Sequence, residues 1–162
     1  MIERFAVLAS RIRQELADSE RVVTKAERAV LAARQSAVNQ DLYLDSAALN
    51  LHDFYTGIER VFYHIATTID RSVPSGHEWH RELLRQMGVA IPQIRPAVLS
   101  GATIQAVDEF LRFRHVVRNI YAFEFDPDRI DQLADRLRPT FALLEADLLA
   151  FVAFLDELAQ ED

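Results

Sequence analysis

Arg114 and Arg118 stand one helical turn apart in the stretch DEFLRFRHVVRNIYAFEFD, residues 108–126. On a helix advancing about 100° per residue from Val107, Phe113, Val117, Phe110 and Tyr121 fall on one arc at roughly 240–320°. Leu111 follows at roughly 40°, and Arg114 and Arg118 lie between, at roughly 340° and 20°. His115 and Ala122 sit on the shoulder of that arc, and Arg112, Val116, Asn119 and Phe123 point away from it. A guanidinium keeps its proton, so burying one without a partner is very unfavourable. Arg114 and Arg118 must therefore meet carboxylates of neighbouring helices, a subunit interface, or a cleft that receives an anion.

Glu59 and His52 lie at the edge of the apolar stripe of an earlier helix, and Glu59 is a natural partner for either arginine. A solvated shoulder position is the other reading of both. His77, Glu78 and His80 form a tight group, but no third ligand stands at a convincing distance and no metal is expected. The chain has no Cys, which excludes a thiolate site, a disulfide framework and a thiol nucleophile. No Gly-rich phosphate loop, Ser-nucleophile elbow or zinc-helix motif appears, and no cofactor is expected.

Long amphipathic helices must position these residues. Half of the 162 residues are hydrophobic and 27% are charged, with only 4 Gly and 5 Pro. That composition fits a globular chain of most simply one domain, residues 1–162. Ile2, Phe5, Ala9, Ile12 and Leu16 open a helix reaching about residue 38, with a break expected near Ala17–Glu20. Beyond Glu20 its stripe is rich in alanine, which allows close helix approach. A second helix runs from Asp41 or Asp45 to Asp70 on Leu51, Phe54, Ile58, Val61, Phe62, Ile65 and Ile69, with Gly57 marking a close crossing.

Residues 71–76 read as a loop, HEWHRELLRQMGV as a short helix ended by Gly88, and IPQIRPAVLSG as an extended connector. Ser100 caps the arginine-bearing helix. Asp126-Pro127 restarts the chain as a last helix to about Gln160, with Pro139 expected to kink or break it. The fold class is therefore all-α, a four-to-five-helix antiparallel bundle.

The N-terminus is charged throughout and is not a signal peptide. No run of 18 apolar residues exists, so no membrane span is expected; a cytoplasmic location is expected. The net charge of -7 disfavours a general nucleic-acid-binding surface, so RNA contact depends on a local basic cleft.

NLHDFYTGIERVFYHIA, HEWHRELLRQM and above all FLRFRHVVRNIYAFEFD resemble the HEPN-domain family, within it the HepT-like ribonuclease toxins. The resemblance implies a prokaryotic toxin–antitoxin system with a nucleotidyltransferase antitoxin as partner. It also implies a homodimer whose active helix lies at the interface. The family's active sequence is Arg, four variable residues, His, one residue, Tyr. Arg118-Asn119 fits its start, but Phe123 and Phe125 then occupy the His and Tyr places, and counting from Arg114 puts Asn119 at the His place. What remains is a shifted constellation of Arg114, His115, Arg118 and Tyr121. Metal-free RNA cleavage needs a base, an acid and cations around phosphate. His115 can transfer protons near neutral pH, and Arg114 and Arg118 can hold phosphate. Tyr121 can stack on a base, with Asn119 and Glu59 as further binding residues. The alternative is a catalytically degenerate module that binds a nucleotidyltransferase or a nucleotide.

Overall fold

A computed structural model describes residues 2–119 and 126–161, apart from the side chains of residues 117–119. Five α-helices follow one another: α1 Ile2–Gln35, α2 Gln40–Ile65, α3 Trp79–Met87, α4 Gly101–Asn119 and α5 Pro127–Leu158. The architecture is the expected all-α bundle. The only extended pairing among the described residues is an isolated bridge between Ile91 and Arg95.

α1 and α2 pack antiparallel through small residues. Ala26, Ala29 and Ala33 on α1 and Ala47 and Ala48 on α2 are buried, so the two backbones can approach closely. A Cβ at Gly57 would stand 2.4 Å from Glu15 Oε1, the end of a flexible side chain, so what approaches Gly57 is a carboxylate of α1 and not its backbone. α1 runs unbroken through Ala17–Glu20, contrary to the expected break. Leu16, Ser19 and Val23 continue its buried face there, and Ser19 is small enough to fill a helix-facing position.

α5 lies along α1, held at three levels by surface pairs: Arg34 with Asp131 and Asp135, Arg138 with Glu20 and Glu27, and Arg13 with Asp156. Exposed pairs of this kind each add little stability, but together they fix direction and register. Asp126 accepts from the Asp128 N–H, with Pro127 at the first helical position, as expected. Pro139 does not interrupt α5, whose assignment is continuous from Pro127 to Leu158. Its ring faces outward while Leu137, Thr140 and Phe141 stay buried, so tertiary packing overrides the lost backbone donor.

Two features hold α4 in place. Phe54 of α2 meets Phe110 of α4 edge-on, with ring centroids 5.4 Å apart. Phe54 also meets Phe141 of α5 at 6.4 Å, joining three helices at one point. Ser100 Oγ accepts from the Thr103 N–H, the expected cap, and Asp147 of α5 accepts from the Ser100 N–H and the Thr103 hydroxyl. Gly88 does end α3, but in a right-handed conformation. A Cβ there would lie 2.2 Å from Ile104 Cδ1 of α4, so a larger residue would require that side chain to shift.

α2 continues into a π-helical segment, Ala66–Asp70, which closes on Arg71 in the left-handed region. It delivers Asp70 to Arg95, in what reads by sequence as a plain connector. The two side chains are 1% and 0% exposed. Arg95 Nε and Nη2 donate to the two Asp70 oxygens at 2.5 and 2.8 Å. Its remaining N–H groups donate to the carbonyls of Gln86, Val89 and Pro96, so all five donors are used. This pair closes the chain between α3 and α4.

Candidate functional site

Three charged or titratable side chains from three helices meet in the interior. Glu59 of α2, His80 of α3 and Arg114 of α4 are 7%, 7% and 8% exposed. His80 Nδ1 lies 2.7 Å from Glu59 Oε2, and His80 Nε2 lies 3.2 Å from Arg114 Nη1. Arginine only donates, so Nε2 must accept with its lone pair. The proton then sits on Nδ1 and is donated to Glu59. The line reads carboxylate, neutral imidazole, guanidinium, and its charges balance without a direct Glu–Arg contact.

Burial lowers the His80 pKa, opposed by the hydrogen bond and charge of Glu59 and reinforced by the charge of Arg114. Protonation would set an N–H of His80 against an N–H of Arg114. Trp79 lies over the His80 ring, with centroids 3.6 Å apart, and shields it further. The Tyr55 hydroxyl and Arg114 Nε are buried and lack hydrogen-bond partners among the described residues. Burial first, and then the charge of Glu59, raise the Tyr55 pKa.

Folded His80 releases its proton more readily than the unfolded residue, so the unfolded state binds more protons as pH falls below about 6.5. Stability contributed by the relay is therefore complete above that pH and is lost as pH falls through the lowered folded value. His64, also lowered by burial and by Arg11, acts in the same direction. Urea unfolding at pH 7.5 and 5.5 checks this. The wild type should lose more stability on acidification than His80→Asn, which retains the His64 contribution.

The structure thus brings Glu59 and Arg114 together, but through a residue whose link the sequence reading missed. His80 lies on the same face of α3 as the buried Leu83, Leu84 and Met87, and that periodicity was the available signal. Arg114 meets the His80 ring, which links it to the Glu59 carboxylate of α2 in place of a direct ion pair. His115 points outward, its ring edge-on to His80 at 6.2 Å between centroids. Arg112 and Val116 are exposed beside it. The backbone of Arg118 and Asn119 completes α4, while Tyr121, Phe123 and Phe125 lie outside the described residues. His77 is exposed, His52 pairs loosely with Asp53 at 3.7 Å, and no group of three metal-ligating side chains occurs among the described residues.

No described helix is long and apolar enough to cross a membrane. Comparison with curated proteins and with solved structures gave no match. A family model described as HepT-like protein matches residues 46–155, a span that contains α3, α4, nearly all of α5 and every member of the buried relay. The chain belongs to the HepT-like family of HEPN-type proteins.

Proposed function

We propose that this protein is the toxin component of a nucleotidyltransferase-linked toxin–antitoxin pair. It cleaves RNA without a metal, at a cytoplasmic homodimer cleft built from the C-terminal ends of two α4 helices. The observation that carries this reading is the buried Glu59–His80–Arg114 relay lying directly under the exposed His115. Replacing such a relay with apolar residues commonly leaves a fold equally or more stable, so its use here suggests a role beyond packing. It fixes the rotation of α4 and so the outward direction of His115.

In the proposed reaction His115 takes the proton of a ribose 2′-hydroxyl. The 2′-oxygen attacks phosphorus, the P–O5′ bond breaks, the 5′-oxygen takes a proton from water, and a 2′,3′-cyclic phosphate remains while His115 returns its proton to solvent. Arg118 holds the phosphate oxygens, and Tyr121 stacks on a base or donates to phosphate. Arg114 acts mainly through its neighbours, because its Nη1 is engaged by His80.

A second reading is a HepT-like module that binds its nucleotidyltransferase without cutting RNA. Counted from Arg114, the family pattern has Tyr121 at the Tyr place but Asn119 at the His place, and an amide cannot transfer a proton. Expression alone should arrest growth, and co-expression of an adjacent nucleotidyltransferase should relieve it. Harmless expression together with tight binding to the nucleotidyltransferase would favour the second reading.

The dimer has its own test. Val116 is 47% exposed beside His115, which suits an interface along this face of α4. Light scattering at micromolar concentration should give twice the 18.5 kDa chain mass. A monomer would remove the shared cleft.

A further inference from the structure

A second groove lies between the C-terminal half of α1 and the start of α2, with a volume of about 480 Å³. Lys25 and Arg28 line one wall, Leu31 and Gln35 continue along α1, and Tyr43 and Asn50 face them from α2. No carboxylate among the described residues lines it. That is unusual for a chain with 25 acidic residues and a net charge of -7. Lys25 is the only lysine in the sequence.

Most arginines lining the bundle surface are matched by acids; Arg13, Arg34, Arg60, Arg136 and Arg138 each have a carboxylate partner. Neither Lys25 nor Arg28 forms an ion pair among the described residues, and Glu27 between them is taken by Arg138. Asn50 spends its amide N–H on the Ser46 carbonyl, which leaves its side-chain oxygen free to accept. Tyr43 is 36% exposed and Leu31 53% exposed, large apolar surfaces turned to a wet groove.

From this juxtaposition we infer that the α1–α2 groove binds a short segment of single-stranded nucleic acid. Lys25 and Arg28 take successive phosphates, Tyr43 stacks on a base, and Asn50 and Gln35 meet base edges. Two unpaired cations without a competing carboxylate favour a phosphate chain. An aromatic ring beside them supplies the stacking face used in sequence-tolerant strand binding. The volume lies in the range of a small-ligand site, so one or two nucleotides fill it. That the strand is RNA rests on the ribonuclease reading above. The binding itself does not.

The test uses the full chain and a fluorescein-labelled pentathymidylate in 2′-deoxy form. Lacking 2′-hydroxyls, this probe cannot be cleaved by the proposed reaction, so binding and cleavage fail independently. Fluorescence anisotropy should show binding that weakens with salt, with a log–log slope of about -1.4 for two phosphates on a single strand. Lys25→Ala/Arg28→Ala should bind about tenfold or more weakly at low salt and show a slope near zero. Tyr43→Leu should bind about tenfold more weakly with the slope unchanged. Arg28→Lys should retain most of the affinity, and all variants should keep the wild-type helical circular dichroism. No binding by the wild type overturns the inference, as does equal affinity of wild type and the double variant. A growth assay showing no toxicity, with this binding intact, would remove RNA cleavage and leave the groove assigned.

Discussion

Replacing Arg114 by alanine is expected to lower the free energy of unfolding by about 1.5–3 kcal/mol, the range for a hydrogen bond to a charged group. Glu59 would remain largely buried, hydrogen-bonded to His80. His80 can then respond by taking a proton. Once the guanidinium is gone, Nε2 no longer has to accept, and the imidazolium pairs with Glu59. The His80 pKa should therefore rise in Arg114→Ala, and the acid sensitivity described above should weaken or reverse. Arg95→Ala makes the comparison sharper. That side chain is fully buried with all five donors used, so its loss should lie at or above the upper end of the same range. Urea unfolding of both variants and nuclear magnetic resonance titration of His80 check these expectations. A loss below about 1 kcal/mol for Arg114→Ala, near the value of an ordinary surface pair, would mean that the relay does not hold α4.

Much of the architecture was legible because it rests on local rules. The 3.6-residue period placed Phe110, Leu111, Phe113 and Arg114 inward and Arg112 and Val116 outward, and the structure has them so. Asp126-Pro127 and Ser100 announced helix starts through cap chemistry that needs only three or four residues. Neither Ala17–Glu20 nor Pro139 breaks its helix, because tertiary packing outweighs local propensity and buried neighbours carry each helix across. The links between distant segments were harder to read. His80 joins two helices from a third, and its periodic place on α3 says that it is inward without saying what it meets. Arg95 does lie in the connector, but its buried partner Asp70 hangs from the end of a π-helical segment, which no periodicity announces. Glu59 and Arg114 were both marked, but a direct contact was expected and the structure interposes an imidazole.

His115→Ala is expected to reduce RNA cleavage by about 10²–10⁴-fold, the range that loss of a general acid–base group produces. Arg118→Ala should reduce it through loss of charge stabilisation at the phosphate. His115 is not hydrogen-bonded to the Glu59–His80–Arg114 relay, so His115→Ala should unfold at about the same urea concentration as the wild type. His80→Asn separates positioning from chemistry. It should loosen α4 and weaken cleavage, yet leave the pH profile set by the group that moves the proton. A profile displaced in His80→Asn would assign proton transfer to His80 itself.

The most direct measurement is cleavage of transfer RNA by purified protein with excess chelator present, comparing wild type, His115→Ala and Arg118→Ala. The account predicts 2′,3′-cyclic phosphate ends from the wild type and almost none from either variant. Intact RNA with the wild type, or undiminished cleavage by His115→Ala, would contradict it.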